Sequence, residues 1–334
     1  MSVQLTPLHA FIGPNDSGTT TLLRAIYALS RFATDVPTSN EWFPGFLEPP
    51  APIVVPHRWL AAASASGGTY SIEWRMRADS AFPHDVVESA SAAMRRKLGT
   101  PSGLAAVPEA RDVLQSFGPA VPLYFDPAQL RLPGPRVANA EDLKAFFERR
   151  GVGLAAVLAS LILQAPDWFP TLREQVSTLF PTIAQLQVKT DQSGSLSLEV
   201  ELKSGARVPA AHMSEGLLYY LAFLVSSRVH GAKLLLVEEP ENGLHPARIR
   251  EVVGLLREVS KSGTQVLMAT HSPLVINELE PDEVSLVTRT EEKGTIVTPI
   301  KDTKNFEQRK EVFALGELWL SYADGVAESE LVGE

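Results

Sequence analysis

LLLVEEPENGLHP, residues Leu234–Pro246, is the stretch whose reading decides the fold. Leu234 to Val237 form a short apolar run of the length and composition expected of a fully buried parallel strand. Glu238 and Glu239 stand where that strand ends, and Pro240 forbids further ladder pairing. In open α/β sheets, ligands gather at the carboxyl ends of the strands. Two adjacent carboxylates at such an end suit a metal-bound phosphate and suit an ordinary solvated acidic turn equally well, and the segments they accompany decide between the two.

Working outward, Leu8–Ile12 is a second apolar run, and it feeds directly into GPNDSGTT, Gly13–Thr20. Thr21-Leu22-Leu23-Arg24-Ala25-Ile26-Tyr27 then follow with apolar residues at helical spacing. Strand, glycine-bounded loop and helix form the context that a phosphate-binding loop requires. The loop spans Gly13, Pro14, Asn15, Asp16, Ser17, Gly18, Thr19, Thr20 and Thr21. Its glycines let successive N–H groups converge at the positive end of a helix. Thr20 occupies the place of the hydroxyl that ligates magnesium. The pattern demands lysine immediately before it, and this chain has Thr19. No neighbour fills that slot, because the first lysine is Lys97. Arg24 lies roughly 140° round the helix and ~7 Å further along.

Two more segments complete the set. Ser214-Glu215-Gly216 opens the apolar helix LLYYLAFL, with Ser214 as its expected cap and the helix start as a second anion site. Past Pro246 a helix is expected over Ala247–Ser260, stopped by Gly263. Gln265–Thr270 then reads as another buried strand, ending at His271-Ser272-Pro273. His271 thus stands at a strand terminus, as Glu238 does.

The intervening chain is less regular. Residues 37–56 carry six prolines and read as an extended surface segment. Trp59–Arg77 reads as a hairpin turning at Gly67-Gly68. Residues 84–118, rich in Ala, Arg and Ser, are expected to be helical, as are 141–150, 154–163 and 170–179. Val121–Asp126 and Leu196–Leu202 read as strands, and 283–289 with 294–300 as a strand pair before a helical tail over 315–322. No heptad pattern persists, so no long coiled-coil arm is expected.

The chain has 334 residues, 45% hydrophobic and 21% charged, an ordinary globular composition of about two domains by length. Its formal net charge of −9 gives no support to nucleic acid as a partner. Arg95-Arg96-Lys97 and Arg149-Arg150 are the only dense basic clusters, and both are read as solvated helix faces. The absence of cysteine excludes disulfides, thiolate zinc sites and cysteine nucleophiles. No signal peptide or membrane-spanning stretch is expected, so a cytoplasmic location is.

Taken in order, GPNDSGTT, SEG, LLLVEEPENGLHP and ATHSP resemble the ATPase heads of the ABC, SMC and RecF group. The wording EEPENGLHP and THSP, with FDPAQLRLP at 125–133 and LGEL at 315–318, is most similar to stand-alone AAA-type ATPases related to the OLD-family ATPase domain. The resemblance implies ATP and Mg2+ as cofactors. It implies that Gly13, Asn15, Gly18 and Thr20 form the phosphate loop, and that Glu238 holds magnesium with Thr20. Glu239 would be the general base, His271 the switch residue that senses the γ-phosphate. Ser214, Glu215 and Gly216 would be the signature turn that completes the site of an opposite protomer. Thr19 departs from the family pattern, and the strand before the loop is short.

The expected fold is therefore α/β, a P-loop NTPase head of ABC/SMC type with a mixed sheet flanked by helices. The head would comprise residues 1–77 and 183–334, with 78–182 as an inserted, mainly helical lobe. The expected activity is magnesium-dependent ATP hydrolysis with nucleotide-gated homodimerisation, acting on a protein partner. The alternative is a nucleotide-binding sensor or scaffold that does not hydrolyse, because Thr19 replaces the lysine. A nuclease of the OLD kind would need a metal-binding domain that the residues after His271 are too few to form.

Overall fold

The computed structural model describes residues 3–14, 17–34, 58–65, 68–76, 83–90, 94–97, 120–137, 146–147, 150–228, 232–290, 294–304, 306–310 and 313–323. The chain begins with β1 (Leu8–Ile12), buried throughout, and α1 (Thr19–Thr34). Next come β2 (Arg58–Ala65), β3 (Gly68–Met76), β4 (Pro83–Ala90) and β5 (Met94–Lys97). β6 (Ala120–Leu123) precedes α2 (Pro127–Leu130), α3 (Leu154–Gln164) and α4 (Trp168–Leu179). β7 (Ile183–Thr190), β8 (Leu196–Leu202) and β9 (Arg207–Pro209) lead to α5 (Glu215–Ser226). The remaining elements are β10 (Leu234–Glu238), α6 (Pro246–Lys261), β11 (Gln265–Thr270), α7 (Pro273–Ile276), β12 (Val284–Thr290), β13 (Gly294–Pro299), α8 (Phe306–Lys310) and α9 (Leu315–Ala323).

The principal sheet has six strands in the order β13-β12-β1-β11-β10-β6. β1 pairs parallel with both β11 and β12, while β12 and β13 form an antiparallel edge. The fold is thus α/β with a mixed sheet. The apolar runs read from the sequence are its buried centre: β1, β11 beyond Gln265, and Leu234–Val237 of β10 are all buried. Helix α6 buries Ile249, Val252, Val253, Leu256 and Val259, one stripe at helical spacing, and packs on β11 and β1. Pro246 opens that helix at a position where its missing N–H costs nothing, and the His245 ring accepts the Ala247 N–H at 3.2 Å. Helix α5 is buried from Leu217 through Ser226, as its all-round apolar sequence requires. Each large side chain buried there contributes about 1.5–3 kcal/mol.

The chain divides into two compact units, one of residues 1–19, 122–230 and 237–334, the other of residues 20–121 and 231–236. The second contains α1 and an antiparallel four-stranded sheet, β2-β3-β4-β5. The expected hairpin is there, Trp59 opposite Trp74 and Ala65 opposite Gly68. The helical reading of 84–118 is overturned where the chain is described, since β4 and β5 occupy 83–90 and 94–97. Residues 98–119 and 37–56 lie outside the described residues, as does most of 141–150. Ala and Arg rank high in helix propensity, but propensity is a weak prior, and a long neighbouring strand to pair with outweighs it. The Arg95-Arg96-Lys97 cluster therefore sits on a strand, with Glu88 in register opposite Arg96. Within the stretch 78–182, β6 stands at one end of the six-stranded order. Among the described residues, no helix is long and apolar enough to cross a membrane.

One buried polar contact gives the fold a pH dependence. The Thr6 hydroxyl donates to the Leu8 carbonyl, so it accepts from His9 Nδ1 at 3.1 Å. His9 Nε2, 3.0 Å from the Ser285 hydroxyl, then accepts from it. The ring is 1% exposed, and burial, partly opposed by Glu283, lowers its pKa to about 4. The unfolded chain binds a proton near pH 6.5 that the folded chain refuses until about 4. Stability is therefore full above 6.5 and falls as pH drops through that window, by on the order of 3 kcal/mol. Urea unfolding between pH 7 and 4 should show this loss, and His9→Gln should remove it from the difference curve.

Candidate functional site

The site is assembled where β1, β10 and β11 end. β1 stops at Ile12, and Gly13 is buried against both its own loop and β12. A Cβ at Gly13 would lie 2.3 Å from Ser17 Oγ and 2.3 Å from the Val287 carbonyl oxygen, so only glycine fits. The Ser17 N–H donates to the Pro14 carbonyl at 3.1 Å, which closes the turn. Thr295 of β13 donates its hydroxyl to the Ser17 carbonyl at 3.1 Å. The Ser17 hydroxyl is buried and has no hydrogen-bond partner among the described residues. Gly18 takes a φ of +100°, and Thr19, also buried, begins α1, with Thr20 and Thr21 as the next two helical residues. Asn15 and Asp16 lie outside the described residues.

β10 ends at Glu238, half-buried at the strand terminus. Glu239 turns out of the strand with φ +45°, a left-handed conformation that is uncommon for a residue with a side chain. Such strain persists only where surrounding bonds hold it. Here the Glu239 N–H donates to the Ala269 carbonyl of β11 at 2.8 Å, and the Asn242 N–H donates to the Glu239 carbonyl at 3.0 Å. The Asn242 amide also donates to Glu239 Oε2 at 2.5 Å, orienting that carboxylate.

Glu241 turns the other way, toward β11. Its Oε1 accepts the Thr270 hydroxyl at 2.6 Å and the His271 N–H at 3.3 Å. The Ser272 N–H in turn donates to Thr270 Oγ1 at 3.0 Å. Burial, offset in part by these bonds, raises the Glu241 pKa above the usual carboxylate range. His271 closes the ring of contacts, with its Nδ1 2.5 Å from the Gly13 carbonyl oxygen. A carbonyl can only accept, so Nδ1 carries the proton and Nε2 is left on the far side of the ring.

Ser214 takes the N-cap position of α5 with extended backbone, but its side chain makes no capping bond to the helix. The expectation of a serine cap is met in place and not in bonding. Arg131, just after α2, donates to the Met213 carbonyl at 3.2 Å and stands 3.9 Å from Glu215. Gly216 faces the turn that follows the glutamates, where its Cβ would sit 3.2 Å from the Gly243 carbonyl oxygen. Gly243, at φ +67°, leaves a gap that the Tyr219 ring fills. Burial, then the charge of Glu215, pushes the Tyr219 hydroxyl up to about 12, so it stays a neutral donor to the Phe125 carbonyl at 3.3 Å.

The structure therefore brings together Gly13, Ser17, Glu239 and His271, and sets Ser214–Gly216 against the turn after the glutamates. Sequence reading passed over Glu241, Asn242, Thr270 and Thr295. Glu241 and Asn242 stand within the quoted stretch, where a third acid two residues after the pair was the available signal. Thr295 joins only through the fold, 278 residues from its partner Ser17.

A family model described as "AAA domain, putative AbiEii toxin, Type IV TA system" matches residues 78–277, more than half of the chain. That range contains Ser214, Glu238, Glu239 and His271 and begins after the Gly13–Thr20 loop. The cell division ATP-binding protein FtsE of Streptococcus pneumoniae D39 is 34% identical over 70 residues, 20% of this chain and 30% of that protein. FtsE of Mycobacterium tuberculosis is 34% identical over 65 residues, 18% of this chain and 28% of that protein. The chain thus spans under a third of the length of these curated relatives. Among solved structures, an SMC head bound to the C-winged helix domain of ScpA aligns at TM-score 0.46 and 14% identity, over 90% of this chain and 93% of that one. The SMC head of Thermotoga maritima aligns at TM-score 0.41 and 12% identity, over 89% and 92%.

Gly243→Ala places a methyl 2.5 Å from the Tyr219 ring on a backbone that side chains avoid. It should destabilise the chain by about 1–3 kcal/mol in denaturant unfolding. Gly263→Ala, equally left-handed at φ +97° but with open space around it, should cost less.

Proposed function

The chain belongs to the AAA domain family of ATP-binding P-loop ATPases, and from that premise we propose that it hydrolyses ATP with magnesium and closes into a homodimer on the nucleotide. The observation that carries this reading is the bond between His271 and the Gly13 carbonyl, with Glu241 tying the glutamate turn to the same histidine. Three loops far apart in sequence meet around one point, as attack on a terminal phosphate requires.

The residues present fit the groups the family implies. The Gly13 cradle, the buried Ser17 hydroxyl without a partner among the described residues, and the α1 N-terminus suit phosphate oxygens. Thr20 and Glu238 offer the hard oxygen donors that Mg2+ takes. The bound ion would offset negative charge on the β- and γ-phosphates. Glu239 serves as general base: Asn242 holds its Oε2, which leaves Oε1 to polarise the attacking water. His271, anchored through Nδ1, would donate from Nε2 to a terminal phosphate oxygen once that nitrogen also carries a proton. Ser214, whose side chain makes no bond to its own helix, and the free N–H groups of α5 supply an anion site for the nucleotide of a second protomer. Such an exchange is satisfied by a C2 dimer with two nucleotides between its halves. A protein partner would receive the closing motion.

A second reading rests on Thr19. It is buried at the start of α1 in the place of the lysine that neutralises charge as the bond breaks. By analogy with the loss of one preorganised donor, hydrolysis should be ~10²–10³-fold slower than with lysine. The chain would then bind ATP and close as a sensor without appreciable turnover.

Phosphate release by the purified chain, beside Thr19→Lys and Glu239→Gln, separates the two readings. For an ATPase, Thr19→Lys should raise kcat by ~10²-fold or more, and Glu239→Gln should abolish turnover while ATP accumulates a dimer in size-exclusion chromatography. Silence from both the natural chain and Thr19→Lys, with ATP still bound, would establish the sensor.

A further inference from the structure

The Glu239–Leu244 turn contains an acid, Glu241, to which neither reading assigns a part in the chemistry. Glu241 is not placed as a second base: its carboxyl is largely buried, and Oε1 is committed to Thr270 and His271. Burial opposes its ionisation, which is a cost with no return unless the bonds it makes matter. Those bonds all go to the segment that delivers His271. The Thr270 hydroxyl donates to Glu241 while accepting from the Ser272 N–H, and the His271 N–H converges on the same oxygen. Both residues flanking the His271 backbone are thereby pinned, and the ring is pinned at its other end by the Gly13 carbonyl.

We propose that Glu241 is a positioning residue that holds His271 against the phosphate loop and so couples the glutamate turn to the group that contacts the terminal phosphate. Glu241 would act through His271 rather than on the nucleotide itself. The inference deepens the ATP reading above and rests on it. It differs from a packing role in one respect: its effect must pass through His271, and must bear on the terminal phosphate more than on the rest of the nucleotide.

The test uses the full chain with Glu241→Ala, Glu241→Gln, His271→Ala and the Glu241→Ala/His271→Ala pair, probed with MgATP and MgADP. Binding of both nucleotides is measured by calorimetry, and phosphate release where turnover is detectable. Glu241→Ala should weaken ATP binding or lower kcat by ~10–100-fold, the scale of a catalytic group displaced by about an ångström. ADP affinity should stay within ~3-fold, and the double variant should be no worse than His271→Ala alone. Glu241→Gln keeps the Oε1 acceptor and the volume, and should restore most of the loss. If Glu241→Ala does not fold, Glu241→Asp, which withdraws the carboxyl by one methylene, carries the same expectation.

Additive effects in the double variant, or equal losses for ATP and ADP, would overturn the positioning role while leaving ATP binding by the natural chain intact. Failure of the natural chain to bind MgATP at all would overturn both this proposal and the reading beneath it.

Discussion

The parallel pairing of β1 with β11 is the constraint on which the rest depends. Its register sets Ile12 opposite Thr270, so the first residue after each strand, Gly13 and His271, must emerge side by side. The imidazole then reaches the Gly13 carbonyl without any reach by the loop itself. A slip of one residue would turn every side chain of β1 to the other face and carry the glycine curl out of range. The register is protected by burial on both faces, since no residue of β1 and none of β11 beyond Gln265 is left to solvent. On the far side of β11 lies β10, and the Glu239 N–H bond to Ala269 ties its end to the same edge.

Three carboxylates within four residues would repel one another if they shared one environment. The turn separates them. Glu238 finishes the strand, Glu239 leaves it through a left-handed backbone into the reach of Asn242, and Glu241 is driven into the β11 terminus. Burial pushes Glu241 toward its neutral form. In the function proposed above, these different surroundings give chemically identical groups different work, as metal ligand, base and clasp. Thr19 stands against this economy, because it withdraws a positive charge from a site otherwise rich in negative ones.

Much of this was legible along the chain. The apolar runs at 8–12, 234–237 and 265–270 are short, β-branched or leucine-rich, and bounded by glycine or proline, so their burial followed from composition. Helix α6 declared itself by its stripe, and the hairpin around Gly67-Gly68 by alternation. Residues 84–97 misled because alanine, arginine and serine state a weak preference, and the partner strand that decides the matter lies ten to twenty residues upstream. β6 was legible as a strand, but four residues cannot announce which sheet they will edge.

What the sequence determined by itself was the inventory and its order: a glycine loop after a buried strand, a paired acid after another, a histidine after a third. Those depend on local backbone chemistry, on where the chain must turn and which residues tolerate the turn. Tertiary structure alone decided which of the three acids stays in the site and which is buried as a clasp. It also decided that Thr295 would close over Ser17 and that Gly243 would make room for Tyr219. Such choices turn on hydrogen bonds and ring contacts between segments tens to hundreds of residues apart, for which no periodicity or propensity carries a signal.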